Sequence, residues 1–511
     1  MRYKRKKKLM PFIGFLVFAV LASFGSSDAF QLKPGDDTTI DCDISFIYGA
    51  GWRASGQDRD KLKNANIDDG DRNFEKWDMY NNKGTLLADI DMKFKNTGLF
   101  VRPKAFYDHV YMTKNANDSA ATNNALKKVP ADITKTDDWD DEVKDVHGRN
   151  WEILDLFAYT NFDLADKNIE FRVGKQVISW GESLFISGGI SSAQSHVDAA
   201  ASVAVGTEVK EIFLPSESVY LHAELAPSLA LSGYYQWKWR KTKLMEGGSF
   251  FATSADFLDD LKAPILLGGP FLATRIGDDD PKDSGQFGAA LTYVWDWLNA
   301  TEIGLYYINY HDKAPTVHYA NYFSPAPGLV IPKNYYLSYT ENIKLYGASF
   351  SSLIGDMNLS GEVSYRKDYG FAATKTGTEL NNYYQAQTSW TYAVAFDPFA
   401  DQIATSGEIA CVQTIGRAKD VFAWQYIARL AFTWYQVLKD LDVVTTFAYN
   451  DFPSGTFSSS WVEGASRGSV RLDFTYKNIY KAAIAYEQRY NSKRNSASDR
   501  DTLALSLSYT F

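Results

Sequence analysis

Apolar and polar residues alternate one by one over long parts of this chain. The final residues show it most cleanly: Leu503, Leu505, Leu507, Tyr509 and Phe511 interleave with Thr502, Ala504, Ser506, Ser508 and Thr510. One face is greasy and the other small and polar, the period-two signature of a strand with two unlike sides. Val470, Leu472, Phe474 and Tyr476 alternate in the same way with Arg471, Asp473 and Thr475. From Phe422 to Trp434 the apolar residues Phe422, Trp424, Tyr426, Leu430, Phe432 and Trp434 enclose Gln425, Arg429 and Thr433. Leu359, Val363 and Tyr365 alternate with Ser360, Glu362, Ser364 and Arg366. Such strands suit a soluble sandwich, whose apolar faces meet a second sheet, or a barrel, whose apolar faces meet lipid around a wet lumen. Periodicity alone fits both.

The spacing of turns separates them. Short connections (Lys95-Asn96-Thr97-Gly98, Ala226-Pro227-Ser228, Ile354-Gly355-Asp356, Lys477-Asn478) alternate with long ones near 54–83, 113–150, 180–216, 241–283, 312–340, 367–420, 451–467 and 491–500. Tight turns on one rim and long loops on the other are the habit of outer-membrane barrels. No segment beyond residue 29 is apolar and long enough for a helical span, so a membrane protein of this composition must satisfy its backbone by closing a sheet on itself. The reading is an all-β transmembrane antiparallel β-barrel of the bacterial outer membrane with about 16 strands, formed by residues 30–511 as one domain. Short turns would lie on the periplasmic side. Long loops would be extracellular or folded inward as a constriction, since connections of this length rarely stay structureless.

The chain's start supports export. Residues 1–29 combine a basic patch (Arg2, Lys4, Arg5, Lys6, Lys7, Lys8), an apolar run from Leu9 to Phe24 and a Ser27-Asp28-Ala29 exit, as in a cleaved signal peptide; the other reading, a membrane anchor, needs a longer run. This leader holds six of the 53 basic and one of the 62 acidic side chains, so without it the formal charge falls from −9 to −14. That charge argues against nucleic acid as a partner. Cys42 and Cys411 are too few for a disulfide framework, although one bond between them stays open. Tyr306, Tyr307, Tyr310, Trp237, Trp239, Trp295 and Trp297 fall near expected strand ends, as interfacial girdles do and as strand propensity alone would also place them.

Candidate chemistry is sparse. The six histidines show no metal-ligand spacing, and neither a Gly-x-Ser-x-Gly elbow nor a phosphate-cradling loop occurs, so no catalytic residue, metal or cofactor is assigned. Basic and acidic residues nearly balance on the expected lumen face, which gives no strong ion selectivity. The acidic tracts Asp68-Asp69-Gly70-Asp71, Asp137 to Glu142 and Asp278-Asp279-Asp280 read either as a solvated rim or as calcium-binding oxygens that lack the spacing of a known loop. The segment from Arg172 to Ser183 ends a strand in Trp180-Gly181-Glu182 and precedes a small-residue stretch, Gly188 to Gly206, in which only Asp198 is charged. Such a stretch suits either an exposed loop or one that enters the barrel. On the second reading Arg172, Lys175, Gln176, Trp180, Glu182, Ser183 and Asp198 line a lumen or constriction.

That segment, with Gly206 to Pro215, Tyr234-Tyr235-Gln236-Trp237, Asn342 to Ser351 and Gly361 to Arg366, resembles domain-of-unknown-function family 1302 in the order of its motifs, from about Ile44 to Phe511. The resemblance implies a proteobacterial outer-membrane barrel serving export or uptake of hydrophobic or lipid-like compounds, in company with an inner-membrane exporter and a periplasmic carrier. The terminal Phe511 is similar to the signal by which outer-membrane assembly machinery takes up its clients. Where relatives carry Asn-Pro-Val-Asp after the Trp-Gly-Glu turn, this chain has Ala193-Gln194-Ser195-His196-Val197-Asp198 and keeps only the last two, so a site on that loop would differ. The functional expectation is an outer-membrane channel or translocator surrounded by lipid. The alternatives are a closed scaffold gripping a ligand or partner with its loops, and a hydrolase with a Ser–His pair on its outer face.

Overall fold

The computed structural model describes residues 30–119, 137–252, 263–374, 377–416, 422–458, 461–490 and 496–511; the leader read at residues 1–29 lies outside them. The strands are β1 (Phe30–Gly35), β2 (Thr38–Arg53), β3 (Met79–Phe94), β4 (Thr97–Asp108), β5 (Arg149–Leu164), β6 (Lys167–Gln176), β7 (His196–Val197) and β8 (Phe213–Leu214). They continue as β9 (Ser216–Ala226), β10 (Leu229–Gln236), β11 (Ile265–Gly268), β12 (Phe271–Arg275), β13 (Gln286–Trp295), β14 (Thr301–Tyr310), β15 (Thr316–Ala326) and β16 (Leu329–Ser338). The last are β17 (Ile343–Ile354), β18 (Met357–Thr374), β19 (Gly377–Phe396), β20 (Ala400–Ile415), β21 (Phe422–Leu438), β22 (Leu441–Ser454), β23 (Arg467–Tyr476), β24 (Tyr480–Arg489) and β25 (Thr502–Thr510).

Eighteen of these form one antiparallel barrel in chain order, leaving out β1, β7, β8, β11, β12, β15 and β16. It closes where β25 pairs with β2, in register from Ser45↔Thr510 to Arg53↔Thr502. Closure leaves no open edge in the spanning wall, so every strand finds hydrogen-bond partners on both sides.

The count is 18, two more than the alternation of turns predicts, and the difference has one source. Residues 367–420, expected as a single long loop, instead extend β18 and supply β19 and β20, which pair from Asn382↔Ile415 to Phe396↔Ala400. Their inward positions carry Gln385, Gln387, Ser389 and Glu408, all buried, while Ala386, Thr388, Cys411 and Gln413 alternate with them. Amides and small residues blur the polar contrast on which the reading of strands depends. The stretches near 241–283 and 312–340 also differ from plain loops: β11, β12, β16 and β15 form a separate four-stranded sheet.

The outer wall is apolar, with Leu305, Val363, Ile409, Leu430, Phe447, Leu472 and Ile484 exposed. Aromatic belts edge it. Tyr307, Tyr346, Tyr365 and Tyr384 sit opposite one another across β14, β17, β18 and β19, with neighbouring ring centroids 4.9–6.4 Å apart. Near the turn rim, Phe399, Phe432 and Trp434 cluster, as do Tyr480, Tyr509 and Phe511. Of the expected girdle residues, Tyr306, Tyr310 and Trp239 are instead buried in the interior. Among the described residues no helix is long and apolar enough to cross a membrane; the strands do the crossing.

At the loop rim, Phe74, Tyr80, Tyr111, Trp139 and Phe250 pack into one aromatic cluster drawn from three connections and the start of β3. Beside it Arg53, fully buried, reaches Asp71 at 2.8 Å and Asp499 at 2.9 Å. The acidic tract at 68–71 is therefore no solvated rim. Asp68, Asp69 and Asp71 are buried, Asp68 pairs with Arg72 at 2.6 Å, and the carboxylates tie loops together. Cys42 and Cys411 are free.

Candidate functional site: a loop that crosses the lumen

Of the two readings for the small-residue stretch after Trp180-Gly181-Glu182, the structure takes the second: the connection from β6 to β9, residues 177–215, enters the barrel. Hydrogen bonds and contacts from the inner wall hold it nearly all the way round. Two buried carboxylates do most of this work. Glu362 on β18 accepts the backbone N–H groups of Glu182 and Ile190, each at 2.7 Å. Glu408 on β20 accepts those of Leu184 at 3.2 Å, and of Phe185 and Ile186 at 2.6 Å. Arg366 on β18 does the converse, its Nη2 donating to the carbonyls of Gly188 at 2.6 Å and Gly189 at 2.8 Å. A folded-in loop brings peptide groups that no strand can satisfy, and charged partners answer them with bonds roughly twice as strong as neutral ones.

Small residues let the wall and loop come this close. A side chain at Gly181 or Gly189 would run into the Glu362 carboxylate, and Gly181 has φ +99°, a conformation suited to glycine. Further along, Gln236 Nε2 donates to Gln194 O at 2.8 Å and Lys313 Nζ to Ala193 O at 3.0 Å. Burial pulls the Lys313 ammonium down to about 8, despite the opposing charge of Asp312 beside it. Trp180 lies against Tyr234 and Tyr306, at 5.0 and 6.2 Å between centroids, and Ile190 is sealed among Ile178, Ile343 and Leu345. On the opposite side Glu211 meets Lys104 on β4 at 2.9 Å, both nearly inaccessible, and Val205 N donates to Asn81 Oδ1 at 2.8 Å. The Val205 carbonyl rests where a side chain on Gly49 of β2 would be.

The residues singled out in the sequence divide in two. Trp180, Glu182, Ser183 and Asp198 belong to the inserted loop: Ser183 Oγ donates to Ile186 O at 2.6 Å, and Asp198 caps a short helix by accepting Ala201 N at 2.8 Å. Arg172, Lys175 and Gln176 stay on the wall. Arg172 stacks on Tyr220 at 4.2 Å, Lys175 donates to Ile153 O at 2.6 Å, and Gln176, buried, donates to Ser218 O at 3.1 Å. All three contacts join neighbouring wall strands. The wall anchor that sequence reasoning missed is Glu408, which fell in the presumed 367–420 loop. Its signal was the Glu408-Ile409-Ala410-Cys411-Val412 alternation.

One sector of the wall is left open. The loop touches the wall by β18–β20, by β21 through Phe185 over Arg429 at 5.2 Å, and by β2 and β25 at Val205 and Gly206. Between these contacts, residues 202–208 and the inner faces of β23, β24 and β25 enclose a cavity of about 460 Å³. Ala483, Ala485, Ala504, Ser506 and Ser508 make its wall, with Arg471, Asp473 and Lys481. Among the described residues no group of three or more histidine, cysteine or acidic side chains is placed to hold a metal ion. The Ser–His contacts found there, Ser216–His196 at 3.3 Å and Ser232–His222 at 2.9 Å, lie on the inner side of the barrel wall rather than on the outer face that the hydrolase reading requires.

The molecule is thus a membrane-spanning β-barrel of 18 strands whose lumen is narrowed by its own third long connection. It belongs to the family described as protein of unknown function (DUF1302), which matches residues 10–511. No curated protein matches the chain. Solved structures similar to it include Pseudomonas aeruginosa OpdK with vanillate, at 9% identity over 92% of this chain and 98% of that one, TM-score 0.45. A BenF-like porin from Pseudomonas fluorescens Pf-5 is similar at 10% identity over 93% and 99%, TM-score 0.45, and Acinetobacter baumannii OccAB3 at 9% over 92% and 99%, TM-score 0.44. At these identities the likeness is one of fold alone.

Proposed function

We propose that the protein is a solute channel of the outer membrane, constricted by residues 177–215 and open along β23–β25. The observation that carries the reading is the pinned loop beside an unfilled sector: a scaffold without a passage would have no use for a cavity of about 460 Å³ between its plug and its wall. The lining of that cavity is hydrophilic, with hydroxyls of Ser506, Ser508 and Thr510 beside charged groups. This supports a small polar solute over the lipid-like one that the family resemblance implies. Assembly would proceed through β25 and its terminal Phe511, which stacks on Tyr509 at 5.3 Å on the turn rim, the periplasmic side in this orientation. An inner-membrane exporter and a periplasmic carrier would then meet that same rim.

The test is conductance of refolded protein in planar bilayers and solute entry in liposome swelling, for the natural chain and for a variant in which residues 184–204 are replaced by a Gly/Ser linker. Small, steady currents that rise severalfold in the variant are expected. Silence from both proteins would exclude a channel and favour the closed scaffold.

A further inference from the structure

Strand β25 turns a row of hydroxyls toward the open sector. Ser506, Ser508 and Thr510 are successive inward positions, about 7 Å apart at the rise of an extended strand. Ser506 lies beside Gly206 of the loop, and Thr510 is at the turn rim, bonded to Ser45 at 3.0 Å, so the row runs the length of the passage below the loop. Thr475 on β23 is level with Ser508 through Lys481, and Thr207 adds a hydroxyl from the loop side. Among the described residues the hydroxyls of Thr207, Thr475, Ser506 and Ser508 have no hydrogen-bond partner. The charged groups on the same lining are Arg471 and Lys481 against Asp473 and Glu208, two of each sign. Arg471 pairs with Asp473 at 2.7 Å, Glu208 with Lys210 at 3.1 Å, and Lys481 is level with the inward Asp442 of β22. The lining thus has free hydroxyls and no net charge with which to sort ions.

We infer that the passage takes uncharged, polyhydroxylated solutes of monosaccharide or polyol size, with Thr207, Thr475, Ser506 and Ser508 as the groups that bind them; this rests on the channel reading above and names its substrate class. A hydroxyl is one donor and two acceptors, and its proton rotates to suit the partner. It therefore answers another hydroxyl in either sense, which a wall of fixed donors or fixed acceptors does not. A sugar entering here exchanges hydrogen bonds to water for hydrogen bonds of the same kind, whereas an ion gives up hydration and meets groups whose charges are already answered. The spacing along β25 lets a solute hold one hydroxyl while it reaches the next. Ala483, Ala485 and Ala504 keep the wall between them low, and the cavity of about 460 Å³ falls within the roughly 300–1,000 Å³ of small-molecule sites.

Entry of labelled solutes into proteoliposomes measures the preference directly, with glucose set against its charged analogues glucosamine and gluconate. Glucose should enter severalfold faster than either through the natural chain. The triple variant Thr475→Val, Ser506→Ala, Ser508→Ala removes three hydroxyls with little change of shape; it should slow glucose severalfold while single-channel conductance in KCl stays as it was. Ser324→Ala, in the separate four-stranded sheet, should change neither. Heat-modifiable electrophoretic mobility reports whether each variant is folded, and the order of entry through the natural chain tests the claim without any variant. Equal or faster entry of a charged analogue, or glucose entry unmoved by the triple substitution in folded protein, overturns the hydroxyl assignment and leaves the channel standing. Absence of both current and solute entry contradicts the channel reading and this inference with it.

Discussion

The two sides of this barrel's inner wall are built for different purposes. Along β18–β20 the inward side chains are buried and engaged: Glu362, Arg366, Gln385 and Glu408 grip the backbone of the inserted loop, and Gln387 donates to the Glu408 carboxylate. Along β23–β25 the inward positions are Ala483, Ala485, Ala504 and Ser506, and cavity lies between them and the loop. Both walls are antiparallel parts of one closed sheet. The lesson is that what a barrel admits is set by which part of its wall holds the loop and which part is merely kept small.

The contrast is broken most severely by removing the grip. Glu362→Ala with Glu408→Ala strips partners from five backbone N–H groups of the loop. Each buried donor left unsatisfied costs about 1–3 kcal/mol, enough in sum to release the segment. Single-channel conductance should rise severalfold, toward that of the loop-replaced protein, while the barrel itself stays folded because its strands are held by their own ladder. The converse change sharpens the contrast with a smaller effect. Ala485→Trp fills the open wall and should reduce conductance by about half, since an indole of 150–250 Å² enters a space lined by methyl and hydroxyl groups.

Much of the barrel was legible in the sequence. The β23 and β25 alternations, Val470 to Tyr476 and Thr502 to Phe511, place apolar residues outside as expected, because those strands put large side chains on one face and small polar ones on the other. The same rule failed at β19 and β20, where the inner face must present amides and a carboxylate to a loop and the outer face includes Ala386, Thr388 and Gln413. That failure cost two strands and the anchor Glu408. The inserted loop itself was legible as a possibility through its small residues and the Trp180-Gly181-Glu182 turn. Its path was not, because what fixes the path is Glu362, Arg366 and Glu408, roughly 170 to 230 positions further along the chain, and closure of the barrel is what brings them to it. Likewise the tyrosines at 306 and 310 look like any aromatics near a strand end, and only the inward face of β14 and the presence of Trp180 decide that Tyr306 packs inside.

The central claim, that solutes pass between the loop and the β23–β25 wall, has a direct measurement: block of current by a bulky, membrane-impermeant thiol reagent on single-cysteine proteins in which Cys42 and Cys411 are first replaced by serine. With Ala485→Cys the account predicts prompt modification and a large loss of current, and with Gln387→Cys, beneath the loop's anchor on β19, neither. Modification and block at position 387 with none at 485 would put the passage on the other side of the loop and contradict it.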